Sequence, residues 1–380
     1  MTTKSKKFDL ISVYIILIVF TSTLYLFFKG FLAHQTFGEW DGVMHFFAGK
    51  SLLSEGKYIG WASNYWPPLQ PMLLNLGSQF IVGKFLSLIS GFLLLISSFF
   101  ISKHFLKENL YAFMATLFVF SNFLFFEIFL LVENHALETA FIFLSILFFI
   151  RGESTLRANQ FFLAGIFIGL ASMSRYTSFS IFLISTFYIW FFISNNRAYI
   201  FRYLLGFLTI CMPWFMQNWI LNGSPIASWQ FINVGIGMFG QDFTEITLKY
   251  DGLTSLIFSE PITFIANYFS NIFSSAKQLI GSFLTYSNEI TVILGLVVLT
   301  LGALLLLKKG IFYNLITNYR YFILVIIGYI GFSSIAFVFQ EGLSPAIFIF
   351  ILILSIIFLA HLPFYKYLIF LLIFINLMLT

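Results

Sequence analysis

"FLSLISGFLLLISSFFIS", residues 85–102, is the stretch whose reading decides the fold. It stays apolar without alternating from one position to the next, and "PAIFIFILILSIIFLA", residues 345–360, does the same. A strand of an outer-membrane barrel would alternate lipid-facing and lumen-facing residues. A helix crosses a bilayer with about 20 mainly apolar residues. Runs of this kind recur along a chain that is 60% hydrophobic and only 9% charged, far more apolar than a soluble domain. The reading is all-α: a polytopic helical membrane protein, taken as a single transmembrane domain over residues 1–380.

The apolar runs give eleven expected spans: 11–32, 84–102, 110–130, 138–150, 161–174, 178–193, 199–220, 288–306, 320–339, 345–360 and 365–379. The opening "MTTKSKKFDL" is basic and precedes a run too long for a signal-peptide core, and "FLAHQ" makes a poor cleavage site. The first span is therefore expected to be uncleaved, with a cytoplasmic N-terminus in the cell (plasma or inner) membrane. Lys4, Lys6, Lys7, Lys103, Lys107, Arg151, Arg157, Arg197, Arg202, Lys308, Lys309, Arg320 and Lys366 fall in one set of loops, which the positive-inside rule assigns to the cytoplasm. Glu39, Asp41, Glu55, Glu133, Glu138, Asp242, Glu245, Asp251, Glu260, Glu289 and Glu341 fall in the other set. The only cysteine, Cys211, excludes a disulfide within the chain. The net charge of +5 is scattered among loops and points to no nucleic-acid partner.

Two loops on the non-cytoplasmic face are long, 33–83 and 221–287. In 261–286 apolar residues recur at helical spacing, while Asn267, Ser270, Asn271, Ser274, Lys277 and Gln278 take the other side. That pattern predicts an amphipathic helix lying in the membrane interface. Residues 41–55 also have helical character, and Pro67, Pro68 and Pro71 end any preceding helix and let a short one begin.

The first long loop carries "DGVMHFFAGKSLLSEGKY" (41–58) and then "YWPPLQPMLLNLG" (65–77). Asp41, His45, Ala48, Gly56 and Pro67-Pro68-Leu69 stand there in an order that resembles lipid-linked-sugar glycosyltransferases of the GT-C fold. The likeness is greatest to the protein O-mannosyltransferase and aminoarabinose-transferase group, glycosyltransferase family 39. "ALETAFIFLSILFFIRG" (136–152) with Glu138, "AGIFIGLASMSRYTSFSIFL" (164–183) with Arg175, Tyr176 and Thr177, and "PWFMQNWILNGSPIAS" (213–228) extend it over roughly the first 230 residues. Two departures stand out: Gln217 occupies a position where the family usually has Arg, and "QEGLSP" puts Glu341 and Gly342 where Arg-Tyr is common.

The resemblance implies a polyprenyl-phosphate sugar donor at the outer leaflet and a glycan, lipid or protein acceptor. A carboxylate takes the proton of the attacking hydroxyl, and Asp41 holds the matched position. With Glu39 it forms "EWD", which could instead clasp a divalent cation such as Mg or Mn; otherwise no cofactor is implied. Glu138, with Glu133 as competitor, takes the second acidic role. Arg175 is the candidate for the leaving phosphate, with Lys84, His45, Tyr176, Gln217 and Asn218 as further substrate contacts. Structural readings stand beside these: Asp41 as a helix cap, Arg175 as a snorkelling interfacial residue, Glu138 as a helix-start carboxylate. Two other functions fit the same composition, a lipid-linked-glycan transporter or flippase and an inactive membrane scaffold. Charges concentrated at span ends argue against the transporter, though Glu127 lies within an expected span.

Overall fold

The computed structural model describes residues 66–77, 79–120, 134–193, 196–225, 231–285 and 311–335, with 28, 45, 47–50, 54 and 129 besides. Every regular element among them is helical. A short helix, α1 (Leu69–Leu74), follows Pro67-Pro68 as the proline cluster predicts. Then come α2 (Gln79–Leu106), α3 (Asn109–Phe120), α4 (Asn134–Thr155), α5 (Ala158–Ser174), α6 (Phe179–Phe192) and α7 (Asn196–Asn222). The second long loop folds into α8 (Phe231–Phe239), α9 (Phe243–Lys249), α10 (Leu253–Ser259) and α11 (Pro261–Thr285), and α12 (Ile311–Ser333) rejoins the bundle.

The count of eleven spans is not reached among the described residues. Three helices there are long and apolar enough to cross a membrane: Ile81–Leu106, Asn134–Thr155 and Arg197–Asn222. Asn109–Phe120, Ala158–Ser174, Tyr176–Phe192 and Tyr319–Ser333 are apolar but shorter. Of the expected span 110–130, the residues up to Phe120 are described and are helical. The expected spans 11–32, 288–306, 345–360 and 365–379 lie outside the described residues.

α2 shows how such helices sort their faces. Ile81, Phe85, Ile89, Phe92, Ile96 and Phe100 form one exposed stripe at three- and four-residue spacing. Ser87, Ser90, Ser97, Ser98 and Ser102 are buried on the other side. Bulky side chains turned outward and small hydroxyls turned inward are the arrangement that lipid favours, because bilayer tails solvate Phe and Ile as well as a protein core does. Ser97 satisfies its hydroxyl within the helix: its Oγ donates to the Leu93 carbonyl at 2.7 Å. At 28 residues, α2 is about 42 Å long, more than the hydrocarbon thickness.

The innermost helix is α4. Of its most apolar stretch 83% is buried, against 44% for α2 and 28% for α7. It rests on α5, where Ser145 Oγ donates to the Ala164 carbonyl at 2.9 Å. α5 in turn meets α7 through glycines. A Cβ at Gly165 would run into the Tyr203 carbonyl, and one at Gly206 into the Phe162 carbonyl. Gly165 and Gly169 form the small-xxx-small spacing that lets two backbones approach.

The described residues of the second long loop are helical and packed. Ile232, Val234, Met238, Ile246, Tyr250 and Leu256 bury a small core of their own. Asp242 caps α9, accepting from the Glu245 N–H at 2.8 Å while Glu245 reaches back to the Asp242 N–H. Two of the acidic residues read from sequence as external loop charges are therefore a capping box. α11 occupies the stretch expected to be amphipathic. Ile262, Ile265, Phe269 and Phe273 are exposed along one side. On the other side Asn271 Nδ2 donates to the Gly237 carbonyl at 2.9 Å, and Asn267 Nδ2 to the Met238 carbonyl. These amides satisfy carbonyls at the end of α8 that the helix itself leaves open.

The glycine contact gives a direct test of the bundle. Gly165→Val is expected to destabilise the detergent-solubilised protein by about 1–3 kcal/mol through overpacking against α7. Gly223→Ala, a position with open space around it but a positive φ of 70°, should cost less than that, about 1 kcal/mol. Thermal unfolding of the two variants compares them.

Candidate functional site

The first turn of α4 and the break between α5 and α6 meet at one end of the bundle. α5 ends at Ser174, and Arg175 adopts an extended backbone (φ −150°, ψ 137°). A 3-10 turn, Tyr176–Ser178, follows before α6 begins. Had the helix run on, Arg175, Thr177 and Ser178 would have been distributed around its circumference. The break lets all three reach the same carboxylate.

That carboxylate is Glu138, fully buried on α4. Its Oε1 accepts from Thr177 Oγ1 at 2.6 Å and from Ser178 Oγ at 2.8 Å. Its Oε2 lies 3.6 Å from Arg175 Nε. Tyr329 of α12 turns its hydroxyl toward the same group. Removing a carboxylate from water costs several kcal/mol unless it is paired and hydrogen-bonded, and here both are provided.

His135, one turn before Glu138 on the same face of α4, takes the other edge of the guanidinium. Arg175 Nη1 lies 2.6 Å from His135 Nδ1 and 2.5 Å from Nε2. A guanidinium only donates, so the imidazole must offer it a lone pair and is therefore neutral. Asn134 Nδ2 reaches the Ser174 carbonyl at 3.5 Å and ties the start of α4 to the end of α5. The Arg175 side chain is 15% exposed, against none of Glu138, so the cation opens outward from a closed base.

His45, from the first long loop, joins this group. It is fully buried, its ring meets Trp66 edge-on at 5.2 Å, and neither ring nitrogen has a hydrogen-bond partner among the described residues. Burial, with the Arg175 charge nearby, pushes its imidazole down to about 3. It is neutral at physiological pH and its polar atoms remain available.

Of the residues expected from sequence, Glu138, Arg175 and His45 thus come together, and Tyr176 sits in the 3-10 turn beside them, its ring stacked near Phe179. Lys84 is buried on α2. Gln217 and Asn218 lie in the last turns of α7; Asn218 Nδ2 donates to the Pro225 carbonyl at 3.3 Å. Gln217 Nε2 is buried with no partner among the described residues. Glu39, Asp41, Glu133, Glu127, Glu341 and Gly342 fall outside the described residues. No group of three His, Cys, Asp or Glu side chains among the described residues is placed to hold a metal.

Sequence reasoning missed His135 and Ser178. A signal for His135 existed: in "NHALE" it stands three residues before Glu138, the spacing that puts two side chains on one helix face. Ser178 carried no signal, since its approach to Glu138 depends on the backbone break.

The family model described as dolichyl-phosphate-mannose-protein mannosyltransferase matches residues 67–220, from the proline pair through α7. The match supports the GT-C-like glycosyltransferase family and includes Glu138, Arg175 and Gln217. No curated protein matches the chain.

Two outcomes follow from the geometry. Glu138→Ala removes the partner of a largely buried cation and should cost about 3 kcal/mol in thermal unfolding. Because the His45 imidazole titrates lower in the folded protein than its usual 6.5, the unfolded chain binds the extra proton below that pH. Stability is expected to fall between about pH 6.5 and 3, by up to about 1.4 kcal/mol per pH unit. His45→Phe should flatten that slope in detergent melts.

Proposed function

We propose that this chain, whose residues 67–220 match the family model described as dolichyl-phosphate-mannose-protein mannosyltransferase, is a membrane glycosyltransferase that works with inversion on the non-cytoplasmic face. Its donor is a sugar on a polyprenyl phosphate and its acceptor carries a hydroxyl. The observation that carries the reading is Arg175, held against Glu138 and His135 within the family-matched stretch.

In this mechanism the acceptor oxygen attacks the anomeric carbon and its proton passes to the Asp41 carboxylate. The bond from the anomeric carbon to the phosphate oxygen breaks, and the polyprenyl phosphate leaves with one more unit of negative charge. Arg175 meets that charge. Its Nε and one Nη face Glu138 and His135, so Nη2 can turn its donors to the phosphate. Glu138, anchored by Thr177 and Ser178, fixes the guanidinium in advance, so little reorganisation is needed as charge develops. The buried Nε2 of Gln217 supplies a neutral donor where relatives carry a cation. His45, Tyr176, Asn218 and Lys84 are assigned to substrate contacts, with Glu133 as an alternative to Glu138.

Support for Asp41 comes from its order in the loop motif and from His45. His45 follows it by four residues and packs on Trp66 within reach of the Arg175 charge. Asp41 as a lone base is preferred over Glu39 and Asp41 as a clasp for Mg or Mn.

Transfer of labelled sugar in membrane vesicles tests these roles. Asp41→Asn is expected to lower turnover by about 10²–10⁴-fold at equal expression, and Arg175→Gln to lower kcat more than it raises KM. Chelation should leave the rate unchanged. Normal turnover by Asp41→Asn would remove it as the base, and loss on chelation would favour the metal clasp. Absence of transfer from any polyprenyl-phosphate sugar would favour the scaffold.

A further inference from the structure

At the far end of α4 from Glu138, about 20 Å along the helix axis, α2 and α4 leave a groove of about 300 Å³ between their last turns. Lys103, His104, Lys107 and Arg151 line it, with Phe100 and Leu147 as apolar wall. Lys107 takes a positive φ of 61°, closing α2 with its N–H on the Lys103 carbonyl at 3.0 Å. Glycine takes that conformation at lower cost, yet here a long cationic side chain occupies it beside the groove. Arg151 is held with its guanidinium 4.9 Å over the Phe100 ring. Glu153, the nearest acidic residue along α4, is already taken by the Tyr188 hydroxyl at 2.7 Å and by Arg320 at 3.7 Å. Glu108 follows Lys107 in the chain and is the other carboxylate nearby in sequence.

We propose that this groove binds the phosphate of an anionic glycerophospholipid, the leaflet being opposite the one that faces Glu138 and Arg175. Positive charge at this end of the spans is what insertion favours, but insertion requires neither a groove nor a lysine in left-handed backbone. The apolar wall distinguishes a lipid from a soluble phosphate: Phe100 is the last member of the exposed stripe that begins at Ile81 on α2. A phosphate against Lys103, Lys107 and Arg151 therefore leaves its acyl chain on a surface that already faces lipid. Basic pockets between spans recognise headgroups by this combination. The inference does not depend on the transferase reading.

The test uses the full chain purified in neutral detergent, with lipid retention read by native mass spectrometry. Phosphatidylglycerol should be retained at least about tenfold better than phosphatidylcholine, given three cations at the surface. The combined Lys103→Gln, Lys107→Gln and Arg151→Gln variant should erase the difference. The combined Lys103→Arg, Lys107→Arg and Arg151→Lys variant should keep it, as should Arg197→Gln outside the groove. Unfolding temperatures without lipid establish that the variants are folded. Inorganic phosphate is added as competitor: no displacement supports a lipid as the source, while displacement supports a phosphate site open to soluble anions as well. Equal retention of the two lipids by the unaltered chain, or an unchanged preference in the Gln variant, overturns the proposal.

Discussion

A carboxylate without access to water has to be answered by its surroundings, and the bundle is arranged around that requirement. Glu138 sits in the second turn of α4, the most enclosed of the three long apolar helices. Its partners come from the α5–α6 junction, and Tyr329 approaches from α12. None of these segments can shift far without leaving a buried charge uncompensated. The same constraint explains why α5 breaks where it does: an extended residue at 175 turns a basic side chain and two hydroxyls toward one point.

Beyond that point the molecule follows the rules of a lipid solvent. Bulky side chains on α2 and α7 face outward, while serines and glycines face their neighbours.

Much of this was legible in the residues. Helical class followed from unbroken apolar runs, and the amphipathic period of 261–286 located α11 to within a residue of its end. Glu138 and Arg175 were legible from motif order, although their ion pair was not, because sequence spacing says nothing about a contact across 37 positions. The capping role of Asp242 was not legible, because a capping box and a solvated acidic pair look alike until the helix start is known. The count of eleven spans is not reached among the described residues, where three helices are long and apolar enough to cross a membrane; four of the expected spans lie outside those residues.

The polar side of α11 has one further effect. Ser275 meets Ser334 at 3.0 Å, and Asn271 reaches the Ser334 carbonyl at 3.4 Å, just past the end of α12. Ser334 lies five residues beyond Tyr329, about 7 Å along the helix axis. The helix whose phenylalanines project outward and the buried carboxylate of α4 thus share a neighbour: α12 meets α11 just past its end and carries Tyr329 beside Glu138.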